Sequence, residues 1–359
     1  MTQDEHTPPP ATLRADRIRA VLRDVQDFRF RQIEVALFDP SIRAWADVTT
    51  LSHAMREALA AVPWMSVTQA AILKSRAGDT FKAALATEDG LVFESVLMAN
   101  RRGQWTICVS SQVGCAMGCT FCATGAMGLT RSLTADEIAD QYRFWMYWLQ
   151  DHAETVKYAR ISNIVFMGMG EPLANYANVK SAITTWLRVT DIGTTRITVS
   201  TVGVLPQLER ILTDPAWPHV RIAISLHSAN EERRREIVPT TAPKFLERLA
   251  DWAQRYHQSL GNRRHHVTYE YTLLNEVNDT PEHARELARF IARTGSSKVN
   301  VIPWNPVAGK PFVRAQQERI DTFKRVLLDA GYTVTQRKTM GDDIAAACGQ
   351  LATVKRSAS

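Results

Sequence analysis

Three cysteines within eight residues constrain this chain most: they stand in Cys115-Ala-Met-Gly-Cys119-Thr-Phe-Cys122. The chain has five cysteines in all, and three thiols this close together cannot all pair as disulfides. A tetrahedral zinc site would need a fourth ligand, whereas a [4Fe–4S] cluster held by three cysteines leaves one iron open to a substrate or cofactor. We therefore predict an iron–sulfur cluster here, with a zinc site or three buried thiols as the alternatives.

The length and net charge of the chain limit its domain organisation and its possible partners. The chain has 359 residues, more than one small core usually needs, so we predict one large domain with a smaller appendage. The formal charge of +6 permits a polyanionic partner such as RNA. The N-terminus has no basic or apolar leader region, and no apolar run is long enough to span a bilayer. Because clustered cysteines also suit a reducing compartment, we expect a cytoplasmic chain without membrane contact.

Three patterns precede the cysteines. Residues 1–14 are polar and proline-rich and are predicted to be disordered. Apolar residues recur at helical spacing within 15–68, which predicts a small helical accessory domain. Residues 69–104 carry β patterns separated by turn residues and predict a short antiparallel meander. Its candidate strands span 71–73, 81–85 and 91–97. Glu94 lies in the third strand, where it either faces solvent or has a chemical role.

Beyond Trp105, strands alternate with helices. Six candidate strands span 105–110, 161–167, 196–201, 219–226, 266–274 and 298–303. The first helix between them opens with the capping box Thr134-Ala-Asp-Glu137. This alternation predicts an α/β fold with a parallel sheet, either open or closed as a barrel. No Gly-x-Gly-x-x-Gly follows the first strand, so a dinucleotide-binding fold is not favoured.

Polar and glycine-rich residues follow several of these strands. Gly170 and Glu171 come after the second strand, Ser200 and Ser225 end the next two, and Asn305 follows the sixth. Each of them alone is more often a cap or a turn residue. Because parallel strands end at one edge of a sheet, their shared position with the cysteines favours a ligand-binding role.

The two remaining cysteines differ in their surroundings. Cys108 lies in the first strand, where a small buried hydrophobic residue is the simplest interpretation. Cys348 lies in a polar, glycine-flanked segment near the C-terminus, so we predict an accessible thiol, which is one requirement for reactivity.

A run of arginines, Arg233–Arg235, is flanked by three glutamates. The flanking residues are Glu231, Glu232 and Glu236. Alternating charges of this kind predict a solvated helix face, with contact to RNA phosphates as the alternative.

The spacing Cys115-x3-Cys119-x-Phe-Cys122 resembles the radical S-adenosylmethionine (SAM) signature. Its surroundings resemble a narrower group, the RlmN/Cfr family of RNA adenosine methyltransferases, from about residue 20 to residue 351. The matching segments are Cys108-Val-Ser-Ser-Gln-Val-Gly-Cys115, Phe121-Cys122-Ala-Thr-Gly125, Met167-Gly-Met-Gly-Glu-Pro-Leu173, Ser225-Leu-His227, Ile302-Pro-Trp-Asn-Pro306, Gly341-Asp-Asp-Ile344 and Ala347-Cys-Gly-Gln350.

This resemblance implies the fold and the division of the chain. We expect a partial (β/α)6 TIM-like radical-SAM barrel at 105–340, preceded by the helical domain and the β extension. Residues 341–359 would form a C-terminal segment that carries the reactive cysteine.

The resemblance also implies two cofactors, a [4Fe–4S] cluster and SAM. Cys115, Cys119 and Cys122 would hold the cluster. The matching SAM-contacting positions are Gly170, Glu171, Ser200, Ser225, Leu226, His227 and Asn305.

The implied mechanism assigns roles to the other two cysteines. Cys348 matches the residue that accepts a methyl group from one SAM and becomes S-methylcysteine. A second SAM is cleaved reductively to a radical that takes hydrogen from this methyl group, and the carbon then adds to adenine. Cys108 would release the product through a transient disulfide with Cys348, and Glu94 is the candidate proton acceptor. A radical route suits this target, because carbon 2 of adenine is not nucleophilic.

The family's target is an adenosine of 23S rRNA, and some members also modify the tRNA anticodon loop. The RlmN type methylates carbon 2, whereas the Cfr type methylates carbon 8 and confers antibiotic resistance. Pro172 resembles the first type and Ser228 the second, and we favour carbon 2 because that type is far commoner. We further expect a monomer reduced by a small electron-transfer protein. The alternative of another class is a zinc-stabilised RNA-binding protein without catalysis.

Overall fold

The computed structural model describes residues 13–23, 25–260, 266–295 and 298–352. Most of the segment predicted to be disordered, residues 1–12, lies outside this range, and Arg14 already begins the first helix. Within the described ranges, no helix combines the length and the apolar character needed to cross a bilayer.

One sheet of ten strands organises the molecule. Its spatial order is β1-β2-β3-β4-β7-β8-β9-β10-β11-β12. The strands of this sheet are β1 Val67–Lys74, β2 Thr80–Thr87, β3 Val92–Ala99, β4 Trp105–Cys108, β7 Ile161–Phe166, β8 Ile197–Thr201, β9 Arg221–Ser225, β10 Thr268–Leu273, β11 Lys298–Pro303 and β12 Thr333–Gln336. The pairs β1–β2, β2–β3 and β3–β4 are antiparallel. From β4 onward, each strand of this sheet pairs in parallel with the next one in the spatial order.

The parallel part is the predicted barrel. Strands β4, β7, β8, β9, β10 and β11 correspond to the six predicted strands, and β12 adds a seventh parallel strand. Helices cover the connections between them, as a parallel sheet requires. These helices are α5 Ala135–Asp151, α6 Tyr176–Val189, α7 Leu205–Thr213, α8 Glu231–Ile237, α9 Phe245–Ser259, α10 Pro281–Ala292 and α11 Gln317–Asp329. The α/β fold with a partial TIM-like barrel is confirmed.

Local signals explain where α5 begins. The Thr134 side chain accepts a hydrogen bond from the Glu137 amide, and the Glu137 carboxylate accepts one from the Thr134 amide, as the capping box predicts. Trp145 of α5 and Trp186 of α6 are fully buried against the sheet. Since each large aromatic side chain removes much apolar area from water, these helices are firmly packed.

The N-terminal helices pack onto α5. They are α1 Arg14–Val21, α2 Asp27–Leu37 and α3 His53–Leu59. The Arg14 guanidinium pairs with the buried Asp140 carboxylate, which also pairs with Arg143 at 2.7 Å. Apolar residues of these helices, such as Ile18 and Ile33, belong to the same hydrophobic core as the barrel. The domain boundaries drawn from the sequence stay predictions.

The meander is an integral edge of the sheet. Strands β1, β2 and β3 are each longer than the sequence patterns indicated, and β3 pairs directly with β4 of the barrel. The predicted antiparallel arrangement is therefore present in the structure, and it extends the barrel sheet on one side.

Regular structure flanks the clustered cysteines, although no strand or helix was predicted between residues 111 and 133. Strand β5, Gln112–Cys115, pairs antiparallel with β6, Gly128–Ser132, and a short helix α4, Ala123–Ala126, lies between them. We call residues 115–122 the cysteine loop. The β5–β6 pairing holds the chain before and after the cysteine loop together, and the cysteines lie near the carboxyl ends of the barrel strands.

Candidate active site

A cavity of about 140 Å³ lies at the carboxyl ends of the parallel strands. We call it the upper cavity. Ten residues singled out from the sequence line it: Cys115, Cys119, Cys122, Gly170, Glu171, Ser200, Ser225, His227, Asn305 and Cys348. The expectation that these strand ends and the cysteine loop share one edge is therefore met by the fold. Leu226 is fully buried beside this cavity and does not line it.

The cysteine loop is held from several sides. The Thr120 amide donates to the Ile237 carbonyl at 2.9 Å, at the end of helix α8. The Trp304 indole N–H donates to the Phe121 carbonyl at 3.0 Å. A β-carbon on Gly125 would lie 2.8 Å from the Cys119 carbonyl oxygen, so the chain after the loop returns too close for any side chain.

Electrostatics make the loop unfavourable for free thiolates. Burial raises the pKa of the Cys115 thiol to about 11, and burial raises that of Cys119 further still, with its neighbouring cysteines adding to the rise. The Arg234 guanidinium acts in the opposite direction on Cys119. A metal centre that binds the sulfurs would stabilise the deprotonated form that burial disfavours.

Glu171 is a buried carboxylate in the glycine-rich turn. Its two oxygens accept hydrogen bonds from the amides of Leu173 at 3.0 Å and Val202 at 2.9 Å. Burial raises its pKa. Gly170 is required beside it, because φ is +97° and a β-carbon would lie 2.5 Å from the Gln112 side chain.

The remaining polar groups of this edge are preorganised. The Ser200 and Ser225 hydroxyls lie 3.2 Å apart in mutual hydrogen-bonding distance. The Nδ1 atom of His227 accepts a hydrogen bond from the Thr272 amide at 3.1 Å. Burial lowers the pKa of His227 to about 3, so its ring is neutral at physiological pH.

Glu270 is a site residue that the sequence analysis missed. It lies in the middle of β10, is 2% exposed and lines the upper cavity. Its Oε1 atom accepts hydrogen bonds from Asn300 and Arg337, whereas its buried Oε2 atom has no protein partner within the described residues. Its position beside the cavity is what marks Glu270 as a candidate site residue. In the sequence, the one signal was a glutamate within a predicted strand.

The C-terminal segment, residues 341–359 with 341–352 described, packs against the open side of the barrel. The Ala123 amide donates to the Gly349 carbonyl at 2.8 Å, and the Thr124 hydroxyl donates to the Leu351 carbonyl at 2.6 Å. The Asn305 amide donates to the Cys348 carbonyl at 3.1 Å. The segment is thereby tied to the helix that follows the cysteine loop.

Cys348 is exposed and lines two cavities at once. The second, the lower cavity, has a volume of about 340 Å³ and extends toward the amino ends of β4, β7, β8 and β9. Protein atoms on the remaining sides of Cys348 raise the pKa of its thiol through desolvation, while the Arg337 cation opposes the rise. Cys348 is therefore an exposed residue, as expected for this segment, and the reactivity of its thiol stays a prediction.

Cys108 lines the same lower cavity. It is buried, as a small apolar residue in a strand would be, and burial raises its pKa to about 12. The Cys348 sulfur adds to this rise, and both cysteines line the lower cavity. Both are free thiols, so no disulfide joins them in this structure.

The lower cavity is positively charged. Four cationic side chains line it: Arg196, Arg221, Arg337 and Lys338. Thr106, Asn163 and Thr198 add polar groups to its walls. Sequence spacing gave no signal for this group, because its members come from strands far apart along the chain.

Glu94 lines neither cavity and does not face solvent. It is 3% exposed, and its Oε1 atom forms an ion pair with the Lys82 ammonium at 2.9 Å. Its Oε2 atom accepts a hydrogen bond from the Ala352 amide at 2.9 Å, and Lys82 also donates to the Ala345 carbonyl at 3.1 Å. This pair therefore holds the C-terminal segment on both sides of Cys348.

Replacing Lys82 by methionine should loosen this segment. The change leaves the Glu94 carboxylate buried without its cation, which costs about 3–5 kcal/mol of the free energy of unfolding. We expect the protein to unfold at a lower urea concentration. We also expect faster alkylation of Cys348 by iodoacetamide, measured by peptide mass spectrometry. The matched control is Arg160→Met, which breaks an exposed pair with Asp191 and should change neither measurement noticeably. An alkylation rate equal to that of the parent protein would contradict the anchoring role.

Comparison with known proteins identifies the class. The model of the radical SAM superfamily matches residues 109–291, and the chain belongs to this superfamily. A radical SAM methyltransferase from Sphaerobacter thermophilus is similar over 95% of this chain and 97% of that chain, with 37% sequence identity and a TM-score of 0.85.

Two other solved structures have lower sequence identity and lower TM-scores to this chain. SuiB of Streptococcus suis matches 64% of this chain and 47% of its own, with 13% identity and a TM-score of 0.43. A domain of a pyruvate-formate lyase-activating enzyme from Bacteroides vulgatus matches 49% of this chain and 99% of its own, with 15% identity and a TM-score of 0.37. These two similarities contribute nothing further to the assignment.

Membership of the superfamily implies a [4Fe–4S] cluster and SAM as cofactors. The residues present fit both: three cysteines line one cavity, and Glu270, which has a buried oxygen without a protein partner among the described residues, lines the same cavity. Within the described ranges, no three His, Cys, Asp or Glu side chains are grouped closely enough for a single metal ion.

Proposed function

We propose that this protein is a radical SAM methyltransferase that methylates carbon 2 of an adenosine in 23S rRNA. The position of Cys348 carries the proposal. Its thiol lies between the upper cavity, which contains the cysteine loop, and the lower cavity, which contains Cys108. A thiol in this position is suited to take a methyl group on one side and deliver it on the other.

In this proposal the upper cavity binds the two cofactors. Cys115, Cys119 and Cys122 hold the cluster. SAM contacts come from Gly170, Glu171, Ser200, Ser225, His227 and Asn305, which line this cavity, and Leu226 lies buried next to Ser225 and His227. When bound, the cluster and SAM supply the one-electron chemistry that removes a hydrogen atom from an unreactive methyl group. The unpartnered Glu270 oxygen is available to accept a hydrogen bond from a ligand hydroxyl or amine.

Cys348 acts as the methyl carrier. Its sulfur forms a bond to the methyl carbon and later holds that carbon against the adenine ring. Anchoring by Asn305 on one side and by the Lys82–Glu94 pair on the other restricts where the sulfur can lie. Restriction of this kind raises the effective concentration of the reacting group.

The lower cavity suits an extruded adenosine. Its volume of about 340 Å³ lies within the range of small-ligand sites, and its cations suit the phosphates of a nucleic acid. An adenine inside a stacked RNA is out of reach of Cys348, so the base has to be flipped out. The phosphate contacts would supply affinity without reading the sequence.

Product release involves Cys108. Its thiolate attacks the Cys348 sulfur, a disulfide forms, and the sulfur–carbon bond to the adduct breaks with its electron pair on carbon, which takes up a proton to become the methyl group. Glu94 is our candidate for the base that takes the ring proton. It would have to leave its bond to Ala352 to do so, which couples this step to movement of the C-terminal segment. A small electron-transfer protein would then restore the two thiols.

The test is to identify the methyladenosine isomer. We expect 2-methyladenosine in nuclease digests of 23S rRNA from cells that carry the gene, and none in cells that lack it, by mass spectrometry against both isomer standards. The anticodon-loop adenosine of tRNA should be analysed separately, because it is the second candidate substrate. Appearance of 8-methyladenosine instead would assign the chain to the resistance type, and absence of both isomers from both RNAs would refute the proposed substrate.

A further inference from the structure

Arg234 lies on helix α8, in the arginine run that the sequence predicted to be a solvated face. That prediction is wrong for Arg234, which is 1% exposed. The reason is geometric: Arg233 and Arg235 form helix-surface ion pairs with Glu236 and Glu231, and the residue between them faces inward.

The buried guanidinium is fully engaged with neutral groups. It donates to the carbonyl oxygens of Leu226 at 3.1 Å and Val202 at 2.5 Å, and to the Thr241 hydroxyl at 2.6 Å. It also lies 3.7 Å from the centre of the Phe245 ring. Burial lowers the pKa of Arg234 to about 9, so it remains a cation at neutral pH.

No carboxylate within the described ranges forms an ion pair with Arg234, although its helix carries three glutamates. A buried charge without a counter-charge is costly, and proteins normally pair such charges or place them beside a metal centre. The described residues therefore provide no counter-charge for this cation.

The cysteine loop packs against the helix that carries Arg234. Helix α8 ends where the loop begins to pack: the Ile237 carbonyl accepts from the Thr120 amide, and Ile237 and Val238 contact Cys119 in one apolar cluster. Val202, whose carbonyl oxygen accepts a hydrogen bond from the Arg234 guanidinium, lines the upper cavity together with Cys119.

We propose that Arg234 is the buried counter-charge of the iron–sulfur cluster and raises its reduction potential. This inference rests on the proposed cluster ligands Cys115, Cys119 and Cys122. Three thiolates give the oxidised centre a net negative charge, and one-electron reduction adds another. A fixed cation nearby stabilises the reduced form more than the oxidised form, so it favours the electron transfer on which the enzyme depends.

A purely structural role makes a different prediction. If Arg234 only joined α8 to the strand ends, removing one of its hydrogen bonds would matter as much as removing its charge. The reduction potential separates the two roles, because it responds to charge near the cluster.

The experiment is an anaerobic redox titration of the cluster-loaded protein, with the reduced cluster quantified by electron paramagnetic resonance. In Arg234→Gln we expect the ratio of reduced to oxidised cluster at a fixed potential to fall about tenfold, equal to about 59 mV for a one-electron couple. Arg234→Lys keeps the charge and should restore most of the ratio. Thr241→Val removes one hydrogen bond and should leave it unchanged, as should the exposed Arg235→Gln.

Thr241→Asp covers the case in which Arg234→Gln does not fold. It places a carboxylate beside the retained guanidinium, and we expect the reduced fraction to fall as in Arg234→Gln. An unchanged potential in both variants would overturn the counter-charge role, and so would an equal shift in Thr241→Val. Iron and labile sulfide are measured first in the parent protein, because absence of a cluster there would refute the ligand set rather than the role of Arg234.

Discussion

Replacing Cys348 by alanine should lower the rate of methyl transfer to RNA by about a thousandfold or more. Without the sulfur, no atom between the two cavities can hold the methyl carbon. The measurement is transfer of labelled methyl from SAM to an RNA fragment, together with the intact mass of the protein. The parent chain should gain 14 mass units, about the mass of one methyl group in place of a hydrogen, whereas Cys348→Ala should gain none.

Cys108→Ala is the informative control for this result. It keeps the methyl carrier but lacks the thiol that resolves the adduct, so we expect RNA covalently attached to the protein instead of free product. Methyl transfer that persists in Cys348→Ala would contradict the two-cysteine mechanism. It would favour a different radical SAM enzyme, one acting on a small molecule or a protein.

Replacing Cys119 by serine should remove the cluster. Cys119 is buried where α8, the cysteine loop and Trp304 meet, and a serine hydroxyl is a poor substitute for a thiolate as an iron ligand. After anaerobic reconstitution we expect about four iron and four sulfide per parent chain and close to none in Cys119→Ser. The broad visible absorption of the cluster should disappear with them.

The matched control is again Cys108→Ala, which lies outside the upper cavity and should retain iron and sulfide. One equivalent of zinc without labile sulfide in the parent protein would overturn the cluster and support a structural metal site.

The burial of Glu94 and Arg234 could not be predicted from the sequence. Each is a charged residue in a short element, and neither pattern nor spacing reveals which way a single side chain faces. Glu94 is buried because Lys82 of the neighbouring strand and Ala352 of the distant C-terminal segment meet it. Arg234 is buried because its helix packs over the ends of β8 and β9.

Glu270 and the cations of the lower cavity show the same limit on a larger scale. Arg196, Arg221 and Arg337 belong to different strands or strand ends, and only the folding of the whole sheet brings them around one cavity. Sequence separation hides such groups, since nothing local requires them.

The sequence by itself determined the features that depend on local spacing. These are the three clustered cysteines, the capping box of α5, the alternation of strands and helices, and the glycine-rich turn before Glu171. They follow from covalent proximity and backbone periodicity. The tertiary structure alone decided which side chains meet. The helix that carries Arg234 packs against the cysteine loop, Cys348 lines the same cavity as that loop, and Cys108 and Cys348 both line the lower cavity, because long-range packing sets contacts between residues far apart in sequence.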